Sequence, residues 1–238
     1  MATYKEIRGT AVQSIDGEPD NPVKGQLWYD TVDAEFKYKE QAVGSAWSTA
    51  NSLNTARYAL GGAGTQTTGL AFGGETPPGT DFDNTEQYDG TSWTEVNNLN
   101  TAKRNHASAG ASNTAALHIS GFDGTSVITN VESWNGTSWT EINDVNTARS
   151  SLPGGTGTQT AALFITGTTA PGPLSVNTEQ WNGTSWTEIA DISTGRYGVG
   201  AGGTTAAGLL FGGNISPGNS NSTEEFTAAA SNLNVDLA

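Results

Sequence analysis

With two histidines, His106 and His118, and no cysteine, this chain has little equipment for catalysis. A nucleophile–His–acid triad would need one imidazole to face a reactive serine, and no recognisable turn marks such a partner. His118 alternates within Leu-His-Ile-Ser as a strand residue does, and His106 stands near the start of a repeat, so both read as structural. The missing thiols exclude disulfides, cysteine nucleophiles and zinc–thiolate sites. Asp81, Asp83 and Asp123 sit in loop-like sequence, but there is no dense Asp-x-Asp-x-Asp-Gly run to hold calcium, and no metal site is assigned. Three glycine-rich pieces, GGAGTQ (61–66), GGTGTQ (154–159) and GAGGTT (200–205), superficially suit a phosphate. They lead into strand-like sequence and offer no helix N-terminus to hold an anion, so they read as crowded inner strands. Arg57, Arg104, Arg149 and Arg196 recur after Asn-Thr-Ala or its variant. They are expected to pair with Glu86, Glu132, Glu179 and Glu224, in preference to forming a positive ring for an anion. No enzymatic activity and no cofactor are expected.

The elements that carry these residues repeat. Trp47, Trp93, Trp139 and Trp186 open SAWSTANSLNTAR, TSWTEVNNLNTAKR, TSWTEINDVNTAR and TSWTEIADISTGR, at separations of 46, 46 and 47 residues. A second marker is TEQYDG (85–90), VESWNG (131–136), TEQWNG (178–183) and TEEF (223–226). A third is an apolar run ending in glycine: LAFGG (70–74), LHISG (117–121), LFITG (163–167) and LLFGG (209–213). Each unit offers four strand candidates, as in YALGGAGT, TGLAFGG, NTEQY and SWTEV. The last two are joined by Asp-Gly or Asn-Gly turns, which accept positive φ and favour tight hairpins. No segment has convincing 3.6-residue apolar spacing, so the fold class is all-β. The two NGT triplets (135–137, 182–184) match a glycosylation acceptor but read as hairpin turns.

The 34% hydrophobic and 14% charged composition, with 31 glycines, suits many short strands; the regular placement of the aromatics argues against disorder. A formal charge of −14 repels phosphate backbones and anionic lipid, so neither nucleic acid nor membrane is an expected partner. The N-terminal residues lack a signal-peptide apolar stretch, and no run of about 18 apolar residues occurs, so synthesis as a soluble chain in a cytoplasm is expected.

Residues 1–46 fall outside the repeat. Within them GQLWYDTVDAEFKYKE (25–40) predicts a hairpin, with Leu27 and Tyr29 against Phe36 and Tyr38 and a turn at Thr31–Ala34. The expected organisation is an N-terminal attachment segment (1–46), a four-repeat body (47–230) and a tail (231–238).

The paired glycine, following aromatic and Trp of Gly73-Gly74, Tyr88 and Trp93 resemble the kelch class of β-propeller repeat, over about residues 47–226. Gly212-Gly213 and Phe226 match in the last unit, without its Trp; the middle units keep one glycine, Gly121 and Gly167, with Trp134/Trp139 and Trp181/Trp186. The resemblance implies a small propeller, four blades of four antiparallel strands, with an N-terminal hairpin extension. Copper oxidases of kelch type use a Cys that this chain lacks. The last unit stops before its fourth strand, so the SAWST segment is expected to supply it within the chain, with a neighbouring subunit as the rival donor and a homo-oligomer as its outcome.

The segments after each glycine marker, 75–83, 122–128, 168–176 and 214–222, differ in length and chemistry while the frame repeats. Such loops are where a rigid scaffold binds partners. Asp81, Phe82, Phe122, Asp123, Pro171 and Pro173 are the candidate binding residues. Finally, TYKEIRGTAVQSIDGEPDNPVKGQLWYDT followed by Asn-Thr-Ala-Arg repeats resembles virion proteins of marine tailed phages, especially those of cyanobacteria. That resemblance implies a structural component of a tail, fibre or capsid, located in the virion. Its partners would be other virion proteins or a host-surface glycan. The alternative is a free carbohydrate-binding propeller or a galactose-oxidase-like enzyme domain.

Overall fold

The computed structural model describes residues 13–17, 19, 26–38, 47–169 and 172–229. Every regular element among them is a strand. The chain divides into two compact units, Met1–Thr49 and Ala50–Ala238.

In the first unit, β1 (Gln13–Ile15) lies parallel to β2 (Leu27–Asp30), which turns back into β3 (Glu35–Tyr38). The hairpin has the expected register, with Tyr29 opposite Phe36 and their rings 5.1 Å apart. Trp28 and Asp30, on the other face of β2, are buried, whereas Phe36 and Tyr38 are exposed. Asp30 explains the turn: its Oδ1 accepts from the backbone N–H groups of Gly17, Val32 and Asp33, and its other oxygen takes Lys37 Nζ at 2.8 Å. The lysine holds the Asp30 carboxyl at about 2.

The second unit holds four successive sheets, one per repeat. The first is β4 (Gly61–Thr65), β5 (Thr68–Phe72), β8 (Thr85–Tyr88) and β9 (Trp93–Val96), with a two-stranded ribbon, β6 (Glu75–Thr76) and β7 (Thr80–Asp81), between its second and third strands. The second is β10 (Ala107–Ser112), β11 (Ala115–Ile119), β12 (Val131–Trp134) and β13 (Trp139–Ile142). The third is β14 (Gly154–Thr158), β15 (Ala161–Ile165), β16 (Thr178–Trp181) and β17 (Trp186–Ile189). The fourth has three strands, β18 (Gly200–Gly203), β19 (Ala207–Phe211) and β20 (Thr223–Thr227). All pairings within these sheets are antiparallel.

Two expectations change here. The fourth sheet lacks a fourth strand among the described residues, and Trp47 belongs to no strand and is fully exposed. The 47-residue spacing has a local cause. The markers Gly121 and Gly167 are still 46 residues apart, but nine residues separate Gly121 from β12 and ten separate Gly167 from β16, so the extra residue lies in the third loop.

The sheets stack through alternate residues of their second strands. Leu70 and Phe72 pack on Ala116, Trp134 and Trp139 of the next sheet. Leu117 and Ile119 pack on Ala162, Phe164, Trp181 and Trp186. Leu163 and Ile165 meet Leu210 and Phe226. The first strands run side by side in chain order, β4 by β10, β10 by β14 and β14 by β18. They come so close that a Cβ on Gly155 would lie 2.4 Å from Ser108 O, which is why glycine fills these strands. Backbone bonds step between them: Asn105 N–H donates to Ala59 O, Leu152 N–H to Asn105 O and Gly198 N–H to Ser151 O.

Candidate binding surface

The loops that vary are held by a frame that does not. After each second strand comes a residue of left-handed backbone: Gly73, Ser120, Thr166 and Gly212, with φ between 56° and 67°. Where that residue is not glycine, its hydroxyl does work of its own. Ser120 Oγ donates to Ile128 O and accepts from Arg149 N–H, and Thr166 Oγ1 donates to Ser175 O and accepts from Arg196 N–H. This explains the single glycine of the middle repeats. The next residue is glycine throughout; at Gly121 φ is +109° and a Cβ would meet His106 Cβ at 2.8 Å and Arg104 O at 2.9 Å.

A buried polar staple then ties each sheet to the turn entering it. Glu179 accepts from Asn146 N–H at 2.6 Å, from Asn146 Nδ2, from Thr147 N–H and from Arg149 Nη2 at 2.7 Å. Both Glu179 and Arg149 are wholly buried. Glu86 repeats this with Asn54 and Arg57, and Glu224 with the Ser193 N–H and Arg196. Four charge-assisted bonds offset the cost of burying the carboxylate.

The second repeat departs from the expected pairing. Glu132 takes Asn100 and Thr101, but the residue in the arginine position is Lys103, whose Nζ reaches Asn130 O and Oδ1. Burial lowers the Lys103 ammonium to about 8. Arg104, one residue further, points the other way, into the loops. Its Nη1 lies 2.6 Å from Asp81 Oδ1 and 3.1 Å from Glu75 Oε2, and its guanidinium covers the Phe122 ring at 4.7 Å. Tyr58, paired by a backbone bridge to Glu75, has its hydroxyl pushed up by a hydrogen bond to that carboxylate.

Of the candidate residues, the structure therefore brings Asp81 and Phe122 together, around an arginine that sequence reasoning had placed in the frame. Phe82 is half-buried beside them in the chain, its N–H donating to Gly74 O. Asp123 instead closes its own turn, Oδ1 accepting from the N–H groups of Thr125 and Ser126, which hold its carboxyl below the usual range. Pro173 is exposed in the third loop and its carbonyl accepts from Thr169. Pro171 lies outside the described residues. Each loop joins the second strand of its sheet to the third, so all four emerge at the same end of their sheets.

The histidines meet inside the stack. Their ring centroids are 4.0 Å apart, between Phe72 and Trp139, and both are buried. His106 Nδ1 faces Ala107 O at 3.1 Å, and among the described residues neither nitrogen of His118 has a hydrogen-bond partner. Burial lowers His106 to about 3 and His118 well below its ordinary value. Neutral imidazoles packed on aromatic rings, without a serine or acid in reach of a shared proton, form a packing pair and not a triad. No family model matches this chain, and no curated protein shows significant similarity to it.

Proposed function

We propose that the four sheets are the blades of a small kelch-like propeller, and that the protein is a non-enzymatic structural component of a tailed-phage particle. In this reading the propeller offers its loops to other virion subunits or to a host-surface glycan. The observation that carries it is the contrast between frame and loops. The buried glutamate staple and the left-handed Gly, Ser or Thr recur from sheet to sheet, while the loops diverge in sequence: 75–83, 168–176 and 214–222 are nine residues that share a Pro-Gly step and little else, and 122–128 is seven residues without one. A scaffold conserved inside one chain, with divergence confined to one end of it, is how a contact surface is built. The long polar N-terminal segment before the repeats supports an attachment role, through its resemblance to virion proteins.

Mass spectrometry of purified virions tests the particle assignment: the chain is expected among the structural proteins in stoichiometric amounts. Its absence from particles, together with activity of the purified chain on a sugar, would overturn the reading. Replacing 75–83 and 122–128 by Gly-Ser segments tests the loop assignment. Host-cell or subunit binding is expected to fall at least tenfold in a variant whose circular dichroism is unchanged; undiminished binding refutes it.

A further inference from the structure

The seam between the third and fourth sheets carries a groove of about 250 Å³, lined by Ile165, Thr178, Ala190, Ile192, Leu210 and Phe226. The two preceding seams show what belongs in such a place. At the first, Trp139, which opens the fourth strand of the second sheet, lies against Phe72 with ring centroids 4.9 Å apart and donates its Nε1–H to Thr85 Oγ1 at 2.8 Å. At the second, Trp186 occupies the same position and donates to the backbone oxygen of Asn143 at 3.1 Å. Thr178 is the counterpart of Thr85, each opening the third strand opposite the last residue of the second. Ala190 is the counterpart of Asn143, each one residue past a fourth strand. The groove thus keeps both acceptor positions, yet the sequence has no tryptophan after Trp186.

The matching donor is at the other end of the repeat. Trp47 stands four residues before Asn51, as Trp93 stands before Asn97 and Trp139 before Asn143. These three asparagines make the same bond, Nδ2 donating to the carbonyl oxygen of Thr91, Thr137 or Thr184. Trp47 is therefore the fourth-strand tryptophan of a sheet that would precede the first, and it is fully exposed. On the fourth sheet, Leu209 and Phe211 are 37% and 46% exposed, although their counterparts in the other three sheets are buried or packed against a neighbour. Among the described residues no strand pairs with the outer edge of β20.

We propose that the groove receives the Trp47-Ser48-Thr49 strand of a second copy of this chain. The strand adds to β20, Trp47 fills the groove and its Nε1–H reaches Thr178 Oγ1 or Ala190 O, continuing the interface already built twice within the chain. A second copy brings both halves of the contact, an exposed Trp47 and an open groove, so that each copy can fill the other. The exchange is head-to-tail and closes when two copies trade strands reciprocally. It holds whether or not the chain is a particle component.

Sedimentation velocity and light scattering on the full chain between about 1 and 100 µM test this. A dimer or closed higher oligomer is expected, with Trp47→Ala at least tenfold weaker in self-association and unchanged in circular dichroism. Thr178→Val is expected to weaken association less than Trp47→Ala does. A monomer at every concentration overturns the proposal, including one whose Trp47 fluorescence is blue-shifted because its own chain fills the groove. An oligomer that survives Trp47→Ala undiminished overturns it equally.

Discussion

The buried histidine pair makes stability depend on pH in a window where little else titrates. A histidine near 6.5 when unfolded and near 3 when folded keeps its full contribution above 6.5. As pH falls below that value the unfolded chain binds a proton that the folded chain refuses, so stability is lost progressively down to about 3. Integrated from pH 8 to pH 5, His106 alone costs about 2 kcal/mol, and His118 acts in the same direction. Desolvation is the main cause for both, with the neighbouring Lys103 charge adding to it. Glu86 and Asp123, whose carboxyls are held below their ordinary values, begin to cost stability only below about 4.5, outside this window. The remedy is written in the other repeats: Leu60, Pro153 and Val199 stand where His106 does, and Ala71, Phe164 and Leu210 where His118 does. Thermal melts followed by circular dichroism between pH 8 and pH 5 are the assay. For a body of this size about 2 kcal/mol corresponds to a fall of about 4–8 °C, which His106→Leu should abolish for its share and His106→Leu/His118→Leu almost entirely. A double variant that keeps the slope of the parent protein would refute the account.

The staple gives a second expectation. Arg149→Met leaves Glu179 buried with its asparagine and threonine donors but no counter-charge, and is expected to cost about 3–5 kcal/mol by denaturant unfolding. Glu224 is 25% exposed on its side chain, so Arg196→Met is expected to cost less. Gly121→Ala meets a carbonyl and a side chain inside 3 Å at φ +109° and should cost more than about 2 kcal/mol, whereas Gly202→Ala, with nothing within 4 Å, should stay within about 0.5 kcal/mol. Asp81→Asn leaves Arg104 with Glu75 alone; a stability change of about 1 kcal/mol or less is expected, since the guanidinium is 20% exposed.

Period and turn chemistry carried most of the fold into the sequence. The Trp spacing located four sheets, and the Asp-Gly and Asn-Gly turns located the hairpins that pair Tyr88 with Trp93, Trp134 with Trp139 and Trp181 with Trp186. What failed did so by one residue. In Asn-Thr-Ala-Lys-Arg two cations adjoin, and only the bonds show that Lys103 sits in the staple while Arg104 turns out to the loops. A string match favours the identical letter; the backbone favours the identical offset. The Asp81–Arg104–Phe122 contact joins loops of different repeats, so no periodicity announces it. The three-stranded last sheet was legible as a missing Trp, whereas the exposure of Trp47 was not, since a strand signal says nothing of whether its partner edge is within reach.

Stacking of this kind has a consequence for where the molecule opens. Each sheet touches the sheets next to it, so local stability is close to a sum of neighbour terms, and it is lowest in the sheet whose apolar residues are least covered. The second and third sheets have neighbours on both faces, and their second strands β11 and β15 are buried almost throughout. β19 alternates between buried and exposed, no strand among the described residues pairs with the outer edge of β20, and the carboxylate of the fourth staple is partly in water. Amide hydrogen exchange should therefore be slowest in β11 and β15 and fastest among sheet residues in β18–β20, by at least tenfold at low protein concentration. Raising the concentration should slow β20 selectively if a second copy's strand covers it. Uniform protection across the four sheets at low concentration would mean that they open as one body, and that the staples couple them more tightly than nearest-neighbour contact accounts for.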